Sequence, residues 1–310
     1  MTLPNFVVAG APRCGTTSLH YYLRQHPQVC MSTIKEPNFF LFDEGGEPFV
    51  AEEPIIRKSV RTQADYEALF RPAPATVAVG DVSPLYLHTP ESPGRIRETC
   101  GGDTRIVCLL RRPAARAWSH FLHAMSDVPA ERRDEVFAEL VDAEMAGAAG
   151  DGPYRTRTHL VRLGRYDEQL ARYEEAFGAD RLLVLLMEDL DGDTPATLRT
   201  ICSFLGVDPD TDLGAEQRYN TTGAGTPTGW SAAKKVLRKV QPALKATLPP
   251  RVVAKLAEVR ASRLDAGAGD APPIDPATAR RIADWCAADV EALGRRIGRD
   301  LSDWTADPAA

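Results

Sequence analysis

Residues 6–23 limit what this chain can fold into more than any other stretch. Phe6-Val7-Val8-Ala9 is a short apolar run of the kind that forms a buried strand. Gly10-Ala11-Pro12-Arg13-Cys14-Gly15-Thr16-Thr17 follows, and an amphipathic pattern begins at about Ser18. A strand, a tight turn and a helix start make an anion cradle. The first-turn N–H groups have no partner within the helix, and the positive end of the helix dipole points the same way. The spacing is Gly-x-x-x-x-Gly, as in a phosphate-binding P-loop, where Lys and then Ser or Thr follow the second Gly. Here Thr16 stands at the Lys position, and the long cation of the loop is Arg13. The cradle is kept and its charge has moved, which points to a phosphorylated ligand other than ATP.

The rest of the chain fits around such a unit. Further apolar runs at 76–79, 105–110 and 182–187 lack polar alternation, as strands covered on both faces do. Helical patterns lie between them, at 17–25, 64–70, 114–125, 165–177 and 196–205, with a closing helix at about 277–297. This alternation predicts an α/β fold: three layers, a central, mostly parallel sheet flanked by helices, and the strand-loop-helix cradle at one edge of the chain order. At 310 residues a single domain is expected, with irregular loops near 44–54, 146–158, 221–229 and 266–276.

Composition narrows the partners. A net charge of −6 argues against nucleic acid or an anionic membrane as the main partner. The six cysteines form no Cys-x-x-Cys pair, so neither a zinc site nor a disulfide framework is expected. No stretch approaches 18 uninterrupted apolar residues and no signal peptide is evident, so the expected location is the cytoplasm, with no membrane span.

A second anion site is legible at 106–121. A buried strand ends in Arg111-Arg112, Pro113 sits where a first helical turn would begin, and Arg116 and Ser119 share a helix face. Arg111 lies at the C-terminal end of a strand, where parallel sheets bind ligands. A guanidinium fork with a Ser hydroxyl suits a phosphate.

These residues resemble a family. Pro12-Arg13-Cys14-Gly15-Thr16-Thr17-Ser18-Leu19 is similar to the 5′-phosphosulfate loop of sulfotransferases that use 3′-phosphoadenosine 5′-phosphosulfate, commonly Pro-Lys-Ser-Gly-Thr-Thr-x-Leu. Leu110-Arg111-Arg112-Pro113-x-x-Arg116-x-x-Ser119-x-Phe121 is similar to its 3′-phosphate motif, Leu-Arg-Asp/Asn-Pro-x-x-Arg-x-x-Ser-x-Tyr. Lys35-Glu36-Pro37-Asn38-Phe39-Phe40 and Asp81-Val82-Ser83-Pro84-Leu85-Tyr86 resemble segments of the heparan sulfate sulfotransferase branch. Departures from that branch are Arg13 for Lys, Asn38 for His, Val82 for Lys, and Met187 where cytosolic members often carry a Tyr.

The resemblance implies a transferase moving a sulfuryl group to a hydroxyl, less readily an amine, of a small-molecule, glycan or lipid acceptor, without a metal. It implies that the loop of Arg13, Cys14, Gly15, Thr16, Thr17 and Ser18 holds the 5′-phosphosulfate, with Arg13 neutralising charge on the transferred group. Arg111 and Ser119 would hold the 3′-phosphate, and the spent donor would be 3′,5′-adenosine bisphosphate. Glu36 is the implied general base, and His20, on the loop's own helix, is its nearest rival, ahead of His88, His120 and His123. Two other readings of the cradle stay open: a P-loop kinase or other nucleotide enzyme, and a nucleotide-binding module without catalysis. Arg155, Arg157, Arg162 and Arg165 are candidates for contact with the acceptor or the 3′-phosphate. Lys234, Lys235, Arg238 and Lys239 follow the Gly/Thr loop on a predicted helix, and the resemblance makes Arg218–Lys235 a candidate lid over the donor, with a solvated helix face as the other reading.

Overall fold

The computed structural model describes residues 2–42, 59–126, 128–147, 159–214 and 272–306. Residues up to 215 and from 273 onward cluster into one compact unit. Its centre is a five-stranded, wholly parallel sheet of order β2-β3-β1-β4-β5. The strands are β1 (Phe6–Gly10), β2 (Val29–Met31), β3 (Ala78–Val82), β4 (Arg105–Leu110) and β5 (Leu182–Leu186). β1 and β3 are buried along their whole length, which is why they read as unbroken apolar runs.

Helix α1 (Thr16–Gln25) follows β1 directly, and α2 (Gln63–Glu67) and α3 (Ser92–Cys100) flank β3 in the chain. Then come α4 (Pro113–Ala124), α5 (Arg133–Met145), α6 (Tyr166–Phe177), α7 (Met187–Gly192) and α8 (Thr194–Leu205). We label the last two described helices α9 (Pro276–Ile297) and α10 (Asp303–Ala306). α9 packs on α4, α5 and α6, and its apolar stripe of Ile282, Cys286, Val290 and Leu293 is buried. The end of α1 is tied instead to the segment after α8: Gln25 Nε2 donates to the Leu213 carbonyl at 2.9 Å and the Asp208 N–H to Gln28 Oε1 at 2.8 Å.

The expected strand at 76–79 needs correction. The sheet strand is Ala78–Val82, and Val77 is half exposed. The expected run stopped before Gly80 and Asp81, yet both lie inside the strand. Gly80 is required because the Phe6 ring fills its side-chain space: a Cβ there would stand 2.0 Å from Phe6 Cζ. Asp81 is tolerated because three hydroxyls satisfy it, as described below. Five elements escaped the sequence reading: β2, α3 with Pro93 and Gly94 in its first turn, α5, of which only Phe137, Val141 and Glu144 are buried, α7, which begins at the Met187 of the expected strand run, and α10. The loop near 44–54 and that at 221–229 lie outside the described residues, as do Arg155, Arg157, the candidate lid 218–235 and the basic stretch 234–239.

Candidate active site

Residues 10–19 are organised by local backbone geometry. Gly15 caps α1 in the left-handed region (φ 81), and the first intrahelical bond runs from the Leu19 N–H to the Gly15 carbonyl at 3.1 Å. The N–H groups of the turn between precede that bond, as at any helix start. Arg13 also has positive φ (69). Its side chain leaves the loop and its Nε donates to Ser119 Oγ at 3.2 Å. The two cradles read separately from the sequence are therefore joined, 106 residues apart in the chain. Burial and then the charge of Arg111 lower the Arg13 pKa, so both cations act in one confined space. Cys14 is an interior thiol. Its Sγ lies 3.9 Å from Tyr166 Oη, and burial pushes its pKa up to about 11, so it is a neutral wall of the loop.

The second cradle divides its arginines. Arg111, at the end of β4, keeps a buried Nη1 with no protein partner, a donor ready for an anion. Tyr166 Oη fixes the backbone here by donating to the Arg111 carbonyl at 2.7 Å. Arg116 does not join the ligand face in the same way. It is wholly buried, donates to the Leu160 carbonyl, and has Nη1 3.4 Å from His120 Nδ1. The turn at 160–162, which leads into a 3₁₀ turn at Arg162–Gly164, explains why: the N–H groups of Leu160, Val161 and Arg162 close on the buried Glu144 carboxylate at 2.6, 2.7 and 2.8 Å. Arg116 helps lock that turn over the end of β4. Arg165 turns away to α9, with its guanidinium 5.5 Å from the Trp285 ring centre and 3.3 Å from Glu168.

Glu36 lies on the segment that crosses above β3. Its carboxylate pairs with Lys35, and its side chain is 38% exposed, so an acceptor can reach it. The apolar residues that follow do not wall it in. Phe39 and Phe40 turn into the core against Tyr66, at ring distances of 4.6 and 5.1 Å. The Glu36 charge acts through space on both Arg13 and His123. Glu36 (φ 59) and Asn38 (φ 55) share the left-handed conformation, and with Arg13 they are the non-glycine residues of positive φ among the described residues. Strained backbone of this kind collects at functional sites.

The histidines sort by burial. His20 lies inside the protein, and burial, reinforced by Lys35 and Arg24, lowers its pKa to about 3. A base that weak takes a proton poorly. His120 is likewise buried, and burial holds it well below its ordinary value. His88 is packed against His159 at 5.7 Å, its pKa lowered to about 3 mainly by burial. His123, one turn beyond Ser119 on α4, is the most exposed of them, yet partial burial and then the charges of Arg13 and Lys35, against that of Glu36, lower its pKa as well. Its i, i+4 spacing from Ser119 was the available signal. Val82 is fully buried in β3, so the lysine of the resembling branch has no counterpart on this strand. Among the described residues no cluster of His, Cys, Asp and Glu could hold a metal, and no helix is long and apolar enough to cross a membrane.

A parallel α/β sheet with a phosphate-type strand-loop-helix and a cationic strand end beside it defines the class of P-loop-like, phosphate-binding α/β proteins. Comparison narrows this. The sulfotransferase domain family matches residues 3–221, and the chain belongs to that family. It is 25% identical over 218 residues to human bifunctional heparan sulfate N-deacetylase/N-sulfotransferase 2, covering 67% of this chain and 22% of that protein. It is 26% identical over 204 residues to human heparan sulfate glucosamine 3-O-sulfotransferase 6, covering 66% of this chain and 52% of that one. The chain thus corresponds to part of each. Among solved structures, the sulfotransferase from Alicyclobacillus acidocaldarius superimposes with a TM-score of 0.69 at 26% identity, over 98% of this chain and 99% of that one.

Proposed function

We propose that this protein transfers a sulfuryl group from 3′-phosphoadenosine 5′-phosphosulfate to a hydroxyl or amine. One observation carries the reading: Arg13, from the first cradle, meets Ser119 of the second, beside a buried Arg111 Nη1 that lacks a protein partner. Two joined anion sites suit a nucleotide with phosphates at both ends of its ribose. ATP presents a single polyphosphate chain and calls for a Lys after Gly15, where this chain has Thr16.

The donor supplies an electrophilic sulfur on a phosphate leaving group. The first-turn N–H groups of α1, from Gly15 to Ser18, with the Thr16 and Thr17 hydroxyls, would take the 5′-phosphate. Arg13 is placed to neutralise the charge left there. Arg111 and Ser119 would take the 3′-phosphate, the group that separates this donor from adenine diphosphates. Glu36 is the proposed proton acceptor, because it is reachable and its charge is felt at Arg13, whereas His20 is interior and weakly basic. The named activities of the relatives, N- and 3-O-sulfation of a glycan, favour a glycan amine or hydroxyl as acceptor. Small-molecule and lipid hydroxyls are the other classes to screen.

Calorimetry tests the donor. Adenosine 3′,5′-bisphosphate should bind without metal and more tightly than ATP with Mg²⁺ by about a hundredfold, the worth of one lost charge-assisted phosphate contact or more. Equal or tighter ATP binding would move the protein to the kinase reading. Mass spectrometry of an acceptor panel with the donor should then show products heavier by one SO₃ group.

A further inference from the structure

Beneath Glu36 lies a buried polar network that the proposed transfer does not use directly. Asp81, fully buried in β3, receives three hydroxyl donors: Ser83 Oγ at 2.8 Å on Oδ1, and Tyr66 Oη and Tyr86 Oη at 2.9 Å each on Oδ2. Two of these hydroxyls also accept. Ser83 Oγ accepts the Asn38 N–H at 3.2 Å, and Tyr86 Oη accepts the Phe40 N–H at 3.4 Å. The Val82 carbonyl, just before Ser83, accepts the Glu36 N–H at 3.1 Å. Three alternate amides of segment 36–40 are thus held by three groups of segment 82–86, at two of the three points through a hydroxyl oriented by Asp81.

The orientation has a physical cause. A hydroxyl owns one proton. By accepting a hydrogen bond from each, the Asp81 carboxylate turns the lone pairs of Ser83 and Tyr86 toward the amides. The held segment is the one that needs holding. Glu36 and Asn38 sit at φ 59 and 55, and Pro37 between them biases Glu36 toward extended backbone instead. Without the three grips the segment would relax, and the carboxylate of Glu36 would move with it.

We infer that Asp81, Ser83 and Tyr86 are positioning residues for Glu36: they hold the left-handed turn that aims its carboxylate into the site. The inference rests on Glu36 being the proton acceptor. Tyr66 provides an internal control. It gives Asp81 the same 2.9 Å bond but no hydrogen bond to segment 36–40, which it meets through the stacked Phe39 ring.

The test measures formation of adenosine 3′,5′-bisphosphate from the sulfuryl donor, with N-desulfated heparin oligosaccharide as acceptor and with water alone. Ser83→Ala and Tyr86→Phe should each lower kcat by about tenfold to a hundredfold, the scale of a misplaced catalytic group, with donor KM within about twofold. Tyr66→Phe should cost less than about threefold in kcat while lowering Tm at least as much. Amide hydrogen exchange gives a readout free of chemistry: in Ser83→Ala the Asn38 amide should exchange at least about tenfold faster. The double variant Glu36→Gln/Ser83→Ala should be no slower than Glu36→Gln alone, within about twofold, because both act through one group. Losses that multiply, unchanged kcat in Ser83→Ala, or equal kcat losses in all three hydroxyl variants would overturn the positioning role. If Glu36→Gln keeps its kcat, the base assignment fails and the inference with it. Accelerated Asn38 exchange beside a normal Glu36→Gln rate marks that case apart from a network that never held the segment.

Discussion

The loop at 10–19 and the segment at 36–40 both carry residues of positive φ, but they are held by opposite means. In the loop, Gly15 takes its left-handed conformation without a side-chain penalty, and the next turn of α1 closes on the Gly15 carbonyl. The helix start is built from neighbours in the chain, and the Arg13 side chain beside it reaches a distant partner, Ser119. In segment 36–40 the left-handed positions are a Glu and an Asn, and the groups that hold them come from β3 and the turn after it, 45 and 46 residues away. The loop's helix start is thus a local motif, and the segment around Glu36 is a product of packing. A local motif survives loss of distant partners; a packed one does not.

Each half can be broken separately. The largest effect is expected for Glu36→Gln. Loss of a general base lowers kcat by about 10² to 10⁴-fold, and calorimetric affinity for adenosine 3′,5′-bisphosphate should stay within about twofold. A matched loss of affinity would show that the two halves are not separable.

Next is the pH dependence of stability at Asp81. Burial raises this carboxyl from 3.8 to about 6, against the pull of its three hydroxyl partners. A folded-state pKa above the unfolded one means that the folded protein holds the proton more tightly. Stability from this group is therefore full below about pH 4, falls as pH rises to about 6, and is level above that. The rise corresponds to about 3 kcal/mol, an order-of-magnitude figure. Urea unfolding of wild type and Asp81→Asn across pH 4 to 7 should show this slope in wild type and not in the variant. A difference that grows in the other direction would refute the buried-carboxylate account. The ionised Asp81 thus weakens the fold at neutral pH while ordering the hydroxyls above it, a cost consistent with a functional role.

In the cradle half, Arg111→Ala should weaken adenosine 3′,5′-bisphosphate by about 1.5–3 kcal/mol with Tm little changed, since Nη1 has no protein bond to lose. The smallest effect is expected for Gly15→Ala. The added Cβ meets Leu109 at 3.1 Å and sits at φ 81, so about 1–2 kcal/mol of stability should go, together with donor affinity. Retained kcat at saturating donor would confirm that the cradle and the base fail independently.

The sheet and the cradle were legible because their signals are short in range. β1, β4, α1, α4, α6 and α8 each announce themselves by an apolar period, a cap or a Pro within a dozen residues. β3 misled because Gly80 and Asp81 carry turn chemistry, and only the Phe6 ring and three hydroxyls from elsewhere make them strand residues. Arg116 misled for a related reason. Its place on the helix face was right, but the Leu160 carbonyl and His120 had first claim on it. Among the histidines, adjacency to the loop favoured His20, but packing buries that ring and lowers its pKa to about 3, which spacing along the chain could not show.

By itself, then, the sequence determined the parallel α/β sheet, the strand-loop-helix at Gly15, the paired arginines at the end of β4, and with them the family to which the chain belongs. Backbone hydrogen bonds and helix starts depend on residues a few positions apart, so pattern is enough. Only the tertiary structure decided that Arg13 meets Ser119, that Arg116 bonds the Leu160 carbonyl, and that Asp81 orients the hydroxyls that hold segment 36–40. A buried polar group is stable only when all its partners arrive together, and those partners are set by packing across the sheet rather than by spacing along the chain.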